Sequence, residues 1–86
     1  MNSVHIIGFL RENIDDLYRN FEYELPFLQE NNEAKNIIVV TNWTKRPKTF
    51  LLSLPVNTRV AITGHLDAHP KFGTIIVVQQ IQSLKE

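Results

Sequence analysis

Residues 56–66 read VNTRVAITGHL, and the fold of the chain turns on how this run is read. From Arg59 onward, apolar and polar residues alternate, so Val60 and Ile62 face the same way, as in a strand with one buried side. Gly64 then breaks the pleat. A glycine inside a strand marks a bulge or a tight bend, of the kind a barrel corner needs. The same signature opens the chain: VHIIGFL, residues 4–10, is β-branched and apolar with Gly8 in its middle. Two glycine-broken strands near opposite ends of a short chain place the two points where a small sheet has to curl.

The segments between them are compatible with that plan. Residues 11–20, RENIDDLYRN, are polar, with Ile14, Leu17, Tyr18 and Phe21 at helical spacing, and are expected to form a loop with one helical turn. FEYELPFL, residues 21–28, alternates: Phe21, Tyr23, Leu25 and Phe27 on one side, Glu22, Glu24 and Pro26 on the other. This is a half-buried strand whose proline puts its end at a sheet edge. QENNEAK is a polar turn, and NIIVVTNW, residues 36–43, is a strand apolar enough to be covered on both sides for part of its length. In TKRPKTFLLSLP, Pro47 suits a first helical turn, Phe50, Leu51 and Leu54 share a face, and Pro55 ends the helix. DAHPKFG, residues 67–73, is a turn rich in breakers, and TIIVVQQIQSL is the fifth strand. Five short strands with one short helix between the third and fourth predict an all-β, five-stranded Greek-key barrel, the OB-fold, as a single domain over residues 1–86. A ferredoxin-like sandwich would need two helices of ten or more residues.

Composition narrows the function classes. Nine basic and nine acidic side chains give a net charge of zero, which counts against a surface that is basic all over. The charges are segregated, however. Seven of the nine carboxylates (Glu12, Asp15, Asp16, Glu22, Glu24, Glu30 and Glu33) lie in residues 12–33, whereas residues 45–48 read KRPK. One end of the molecule is therefore expected to be positive. With no cysteine, disulfides, thiolate catalysis and cysteine-rich zinc sites are excluded. The N-terminus lacks a basic n-region before its short apolar run, and no stretch is long enough to span a bilayer, so the expected location is cytoplasmic.

In four places the sequence resembles the bacterial single-stranded DNA-binding protein (SSB) family. VHIIGFL is similar to the family's opening strand, with Gly8 and Leu10 in register. NTRVAITGHL is similar to its Gly-x-x-Val-x-Val-x-Gly-x-Leu strand, with Val60, Ile62, Gly64 and Leu66 matching. Asn57 stands where that pattern has glycine, and asparagine is the next best residue for a left-handed turn. VVQQIQSL resembles the closing strand, with Leu84 at its leucine, and IIVVTNW resembles the third, placing Trp43 on an aromatic position that the family uses to stack a base. The departures are a missing Asp-Pro-Glu segment between strands one and two, shortened hairpins, and no acidic partner-binding tail after Leu84. They make the chain look like a minimal version of the fold, or one nearer the primosomal replication protein that shares it. The resemblance implies binding of single-stranded DNA, self-association into a homodimer or homotetramer, and contact with replication proteins.

The residues themselves fit such a role. Sequence-tolerant binding of a single strand needs flat π-faces for bases and positive charge along the backbone. Trp43, followed by Lys45, Arg46 and Lys48, supplies both within six residues. Lys71 and Phe72, in the turn between the last two strands, offer a second ring and a second cation, while Phe27, Arg11 and Arg59 are peripheral candidates. Each has a plainer reading: a lone tryptophan serves as core or subunit interface, KRPK as a solvated helix start, Phe72 as a ring folded under its hairpin. Glu22 and Glu24, pointing outward on the second strand, would repel phosphate.

GHLDAHPKFG, residues 64–73, raises a metal question, because His65, Asp67 and His69 alternate and would share one face of a strand. The breaker-rich turn is expected to destroy that shared face. Asp67 is then expected to accept a turn hydrogen bond, and the histidines to add positive charge below about pH 6.5. No metal, cofactor or catalysis is expected, since no nucleophile–base pair or phosphate-cradling glycine loop is present. The alternative to DNA binding is an OB-fold protein-interaction module of a replication or primosome complex, which the neutral charge and the outward glutamates favour. The two separate on salt: phosphate binding weakens as salt rises, and an apolar interface does not.

Overall fold

The computed structural model describes residues 3–24, 36–44 and 49–84. The elements run β1 (Val4–Asn13), β2 (Tyr18–Tyr23), β3 (Ile37–Asn42), α1 (Phe50–Ser53), β4 (Arg59–His69) and β5 (Gly73–Ser83). The strands close into a barrel in the order β1-β2-β3-β5-β4, with β4 pairing back onto β1. Every pairing is antiparallel except β3 with β5. This is the five-stranded OB-fold barrel, with its helical turn between β3 and β4, that the sequence pattern leads one to expect.

Register explains the core. Leu10 sits opposite Phe21, Ile62 opposite Ile6, and Val40 opposite Ile76, so their side chains meet inside the barrel. With Leu51, Val60 and Val78 they form the central cluster, and Leu10, Phe21, Val40, Leu51, Val60 and Ile62 have no exposed surface. The pattern on β3 and β5 shows that the barrel wall is covered on both sides there, since Val40 and Thr41 are buried in succession, as are Ile75–Val78. On β5 the outward members are Ile75 and Val77, alternating with the core residues Ile76 and Val78.

The two glycines allow the curl. A Cβ at Gly8 would run into the backbone carbonyl oxygen of Glu22 and lie 2.8 Å from the Phe21 ring; one at Gly64 would run into the carbonyl of Val77. Each bend also has a bulge beside it or close by. Thr63 faces Gln80 and Gly64 faces Val78, leaving Gln79 as the extra residue on β5. On β1, Arg11 and Glu12 together oppose Asn20. Such insertions raise the local twist, and a five-stranded ring needs that twist to close. Asn57 has φ 76°, the left-handed turn that its place in the glycine pattern implies.

Three expectations need correction. Residues 11–20 hold no helical turn: β1 continues to Asn13 and β2 begins at Tyr18, joined by a bend in which the Asp15 carboxylate accepts the amides of Leu17 (2.8 Å) and Tyr18 (2.9 Å). The bulge on β1 carries the pairing on to Asn13 and Arg19, and β3 pairs with Tyr18 and Arg19 from the other side. Residues 67–69 are strand rather than turn, because Asp67, Ala68 and His69 pair with Ile75, Thr74 and Gly73, leaving a tip of only Pro70–Phe72. The inward residues of α1 are Leu51 and Leu52, whereas Phe50 is 54% exposed. Four residues are too few for a helical face, and this turn lowers two adjacent side chains into the barrel instead. Pro26, Pro47 and the turn expected at residues 29–35 lie outside the described residues.

Arg19 ties α1 to the barrel. It is 1% exposed and shares the inner side of β2 with Phe21. Its Nε donates to the Arg11 carbonyl (2.6 Å) and its Nη1 to the Leu51 carbonyl (2.9 Å). Asn13 Nδ2 donates to the next helix carbonyl, that of Leu52 (3.2 Å). Burial pulls the Arg19 pKa below the ordinary guanidinium value, and the charge of Glu12 opposes that shift.

Candidate nucleic-acid interface

Trp43 follows β3 directly and is 60% exposed, the most open large apolar side chain among the described residues. Its backbone is nonetheless fixed: the Trp43 amide donates to the Val78 carbonyl (2.9 Å), carrying the β3–β5 ladder one residue past Asn42. The indole therefore stands out from a firm base, and burying a ring of this size against a partner is strongly favourable. The three cations expected beside it, Lys45, Arg46 and Lys48, lie outside the described residues, as does Phe27.

Arg11 and Arg59 are placed differently from free phosphate contacts. Arg11 donates to the Asn57 side chain and lies 3.8 Å from the Glu22 carboxylate. Arg59 holds Glu24 with both ends of its guanidinium, at 2.7 and 3.3 Å. The Arg59 hydrogen bond, aided by its charge against a smaller desolvation effect, keeps the Glu24 carboxyl below the usual carboxylate range. Glu22 and Glu24 do point outward, as their alternation with Phe21 and Tyr23 requires, but each has an arginine beside it. The repulsion they would exert on a phosphate backbone is partly offset.

Phe72 is folded back. Its ring lies 4.7 Å from the His69 ring and 5.2 Å from Tyr18, while Tyr18 and His69 meet edge to face at 5.0 Å. All three are half-buried, and the exposed Lys71 holds its Nζ 5.6 Å from the centre of the Phe72 ring. The tip of the β4–β5 hairpin is thus pinned to the start of β2. His69 Nδ1 accepts the amides of Lys71 (3.0 Å) and Phe72 (3.2 Å), so the tight turn is built around this imidazole. The contact of Tyr18 with His69 and Phe72 was not legible in the sequence. Tyr18 reads as part of a helical pattern until β3 supplies its strand partner, Thr41.

Because β4 runs to His69, the shared face of His65, Asp67 and His69 survives after all. Alternate residues on a strand are nonetheless about 7 Å apart. Asp67 Oδ1 accepts the Ala68 amide (2.8 Å), on a strand and not in the expected turn, and His69 Nδ1 is taken by the hairpin tip. Among the described residues no three His, Asp or Glu side chains converge as a metal set. Among them, too, no helix is long and apolar enough to cross a membrane.

No protein-family model and no curated protein sequence matches this chain. Solved structures do. The N-terminal domain of the PriB protein from Thermoanaerobacter tencongensis, described as dimeric, shares 26% identity at a TM-score of 0.65, over 99% of this chain and 98% of that one. The second single-stranded DNA-binding protein of Mycobacterium smegmatis superposes with a TM-score of 0.62 at 15% identity, covering 95% and 87%. A small single-stranded DNA-binding protein from Streptomyces coelicolor does so at 0.60 and 18% identity, covering 96% and 95%. Over nearly its whole length, then, the chain is an SSB-like OB-fold, of the kind found in PriB and the SSB-type proteins.

Proposed function

We propose that this protein binds single-stranded DNA with little sequence preference, by stacking bases on exposed aromatic rings and holding phosphates with Lys and Arg, and that it performs no catalysis. The observation that carries the reading is Trp43, an indole held 60% exposed at the end of a barrel strand and followed in sequence by Lys45, Arg46 and Lys48. A single ring next to three cations supplies both requirements of sequence-tolerant single-strand binding. The likeness to PriB and to two single-stranded DNA-binding proteins supports it, and the pairing of Glu22 and Glu24 with arginines eases the main electrostatic objection. Lys71 and Phe72 belong to the same path, with Phe27 and Arg11 at its margins. The chain works as one domain in the cytosol, in replication, recombination or repair. There it self-associates as a homodimer or homotetramer, so that the basic segments of several copies join, and it meets other replication proteins.

The test uses the only tryptophan as its own probe. Titration with oligo-dT at low salt is expected to quench Trp43 fluorescence, and added salt to restore it, since cation–phosphate contacts release counterions. Absence of both quenching and a mobility shift on the same strand would reject DNA binding and leave the protein-interaction module as the better account.

A further inference from the structure

We infer that Tyr18, His69 and Phe72 form one composite stacking platform, a second base-binding subsite beside Trp43, with Lys71 at its rim for the adjoining phosphate. The inference rests on the DNA-binding reading and adds two residues to it, Tyr18 and His69, on elements 51 positions apart in sequence.

The placement follows from register. Tyr18 alternates with the buried Arg19 and Phe21, so it faces out from β2, and its partner across the ladder is Thr41. Trp43 lies two residues beyond Thr41 on a ladder that its own amide prolongs, which puts it on the same side of the sheet. Diagonal neighbours of this type have backbones about 7–8 Å apart, within reach for aromatic side chains. One outer patch of the barrel therefore carries Trp43 and, diagonally from it, a ring cluster to which β2 contributes Tyr18 and the β4–β5 hairpin contributes His69 and Phe72.

The cluster has the chemistry of a stacking surface. Its rings are fixed rather than mobile, because two backbone amides on His69 Nδ1 set the imidazole and the tip around it. Each of the three residues is only half-buried, and a base can stack on an exposed ring whatever its identity, since every base has a π-face. The Lys71 ammonium, 5.6 Å from the centre of the Phe72 ring, carries positive charge where the sugar–phosphate of a stacked nucleotide would run. Two carboxylates near in sequence, Asp15 and Asp67, are engaged with backbone amides.

A pin that merely holds the hairpin down needs an apolar side chain at position 18, whereas a stacking platform needs a ring. Fluorescence anisotropy of labelled oligo-dT separates the two. Tyr18→Phe is expected to bind within about twofold of the parent. Tyr18→Leu, which keeps the packing, is expected to lose about tenfold in affinity, within the range found for single base–ring stacks, with the salt slope unchanged because no cation is removed. In the parent protein, saturating oligo-dT is expected to move the ring-proton resonances of Tyr18 and Phe72, a measurement that needs no variant to fold. Parent-like affinity of Tyr18→Leu, or ring resonances that stay put while Trp43 is quenched, overturns the platform and leaves the DNA-binding reading standing. A parent protein that binds no oligo-dT at all overturns both.

Discussion

At the scale of single residues, three positions are set by backbone geometry or pairing, and each gives a measurable expectation. Asn57 occupies a left-handed turn at φ 76° and accepts a hydrogen bond from Arg11. Asn57→Ala is expected to lose about 1–2 kcal/mol of unfolding free energy, and Asn57→Gly much less, in denaturant titrations. At Gly8 the obstacle to a side chain is the Glu22 backbone, which cannot move aside as a flexible side chain would. Gly8→Ala should therefore cost at least about 1–3 kcal/mol, as overpacking does, and lower the yield of folded protein. Glu24 tests the Arg59 pair. Because its carboxyl is held below the usual range in the folded state, the pair stabilises the protein above the unfolded pKa. That contribution fades as the pH falls through the folded one. An NMR titration should find the Glu24 midpoint below that of an unpaired glutamate in the parent, and back at the ordinary value in Arg59→Gln. An unchanged midpoint would mean that the pair does not persist in solution.

At the scale of elements, β2 and α1 are one mechanical unit. Arg19 spends its guanidinium on the Arg11 and Leu51 carbonyls, so Arg19→Met would leave two buried acceptors without donors. A loss of about 1–3 kcal/mol is expected, together with faster amide exchange at Leu52 and Ser53, whose amides hold the first helical turn by donating to Thr49. Parent-like exchange there would show that α1 is held by Leu51 and Leu52 packing alone. This region also shows where the sequence is readable and where it is not. The glycine-broken strands, Val60 and Ile62 facing inward, and the turn at Asn57 are all local patterns, and local patterns can be read. Residues 11–20 could not be read in that way. Tyr18 and Arg19 become strand only because Val40 and Thr41 pair with them, and Arg19 is buried only because a distant turn offers it a carbonyl. The ring cluster of Tyr18, His69 and Phe72 has the same long-range origin, and so does the extension of β4 past Leu66, where the breakers of DAHPKFG suggest an earlier turn. Trp43 stands out in the sequence because its signal, a ring followed by three cations, lies within six residues.

At the scale of the whole molecule, zero net charge and a nucleic-acid role are compatible because two of the acidic side chains are paired in place, while KRPK follows Trp43 closely in sequence. If Lys45, Arg46 and Lys48 each meet a phosphate, replacing all three by Gln should reduce the slope of log affinity against log salt by about 2. Trp43 should still be quenched at very low salt. An unchanged slope would move the phosphate path elsewhere on the barrel. The barrel's closure has a kinetic consequence as well. Its ring is completed only where β4 meets β1 and β5 meets β3, pairings that join residues some 35 to 60 positions apart. Neither the β1–β3 half nor the β4–β5 hairpin covers its own edges, so a chain emerging during synthesis has no stable partial sheet to rest in. Folding dominated by such distant contacts runs in about milliseconds to seconds rather than microseconds. Until the last strand arrives, the aromatic and apolar face of β2 and β3 is open to any neighbouring chain.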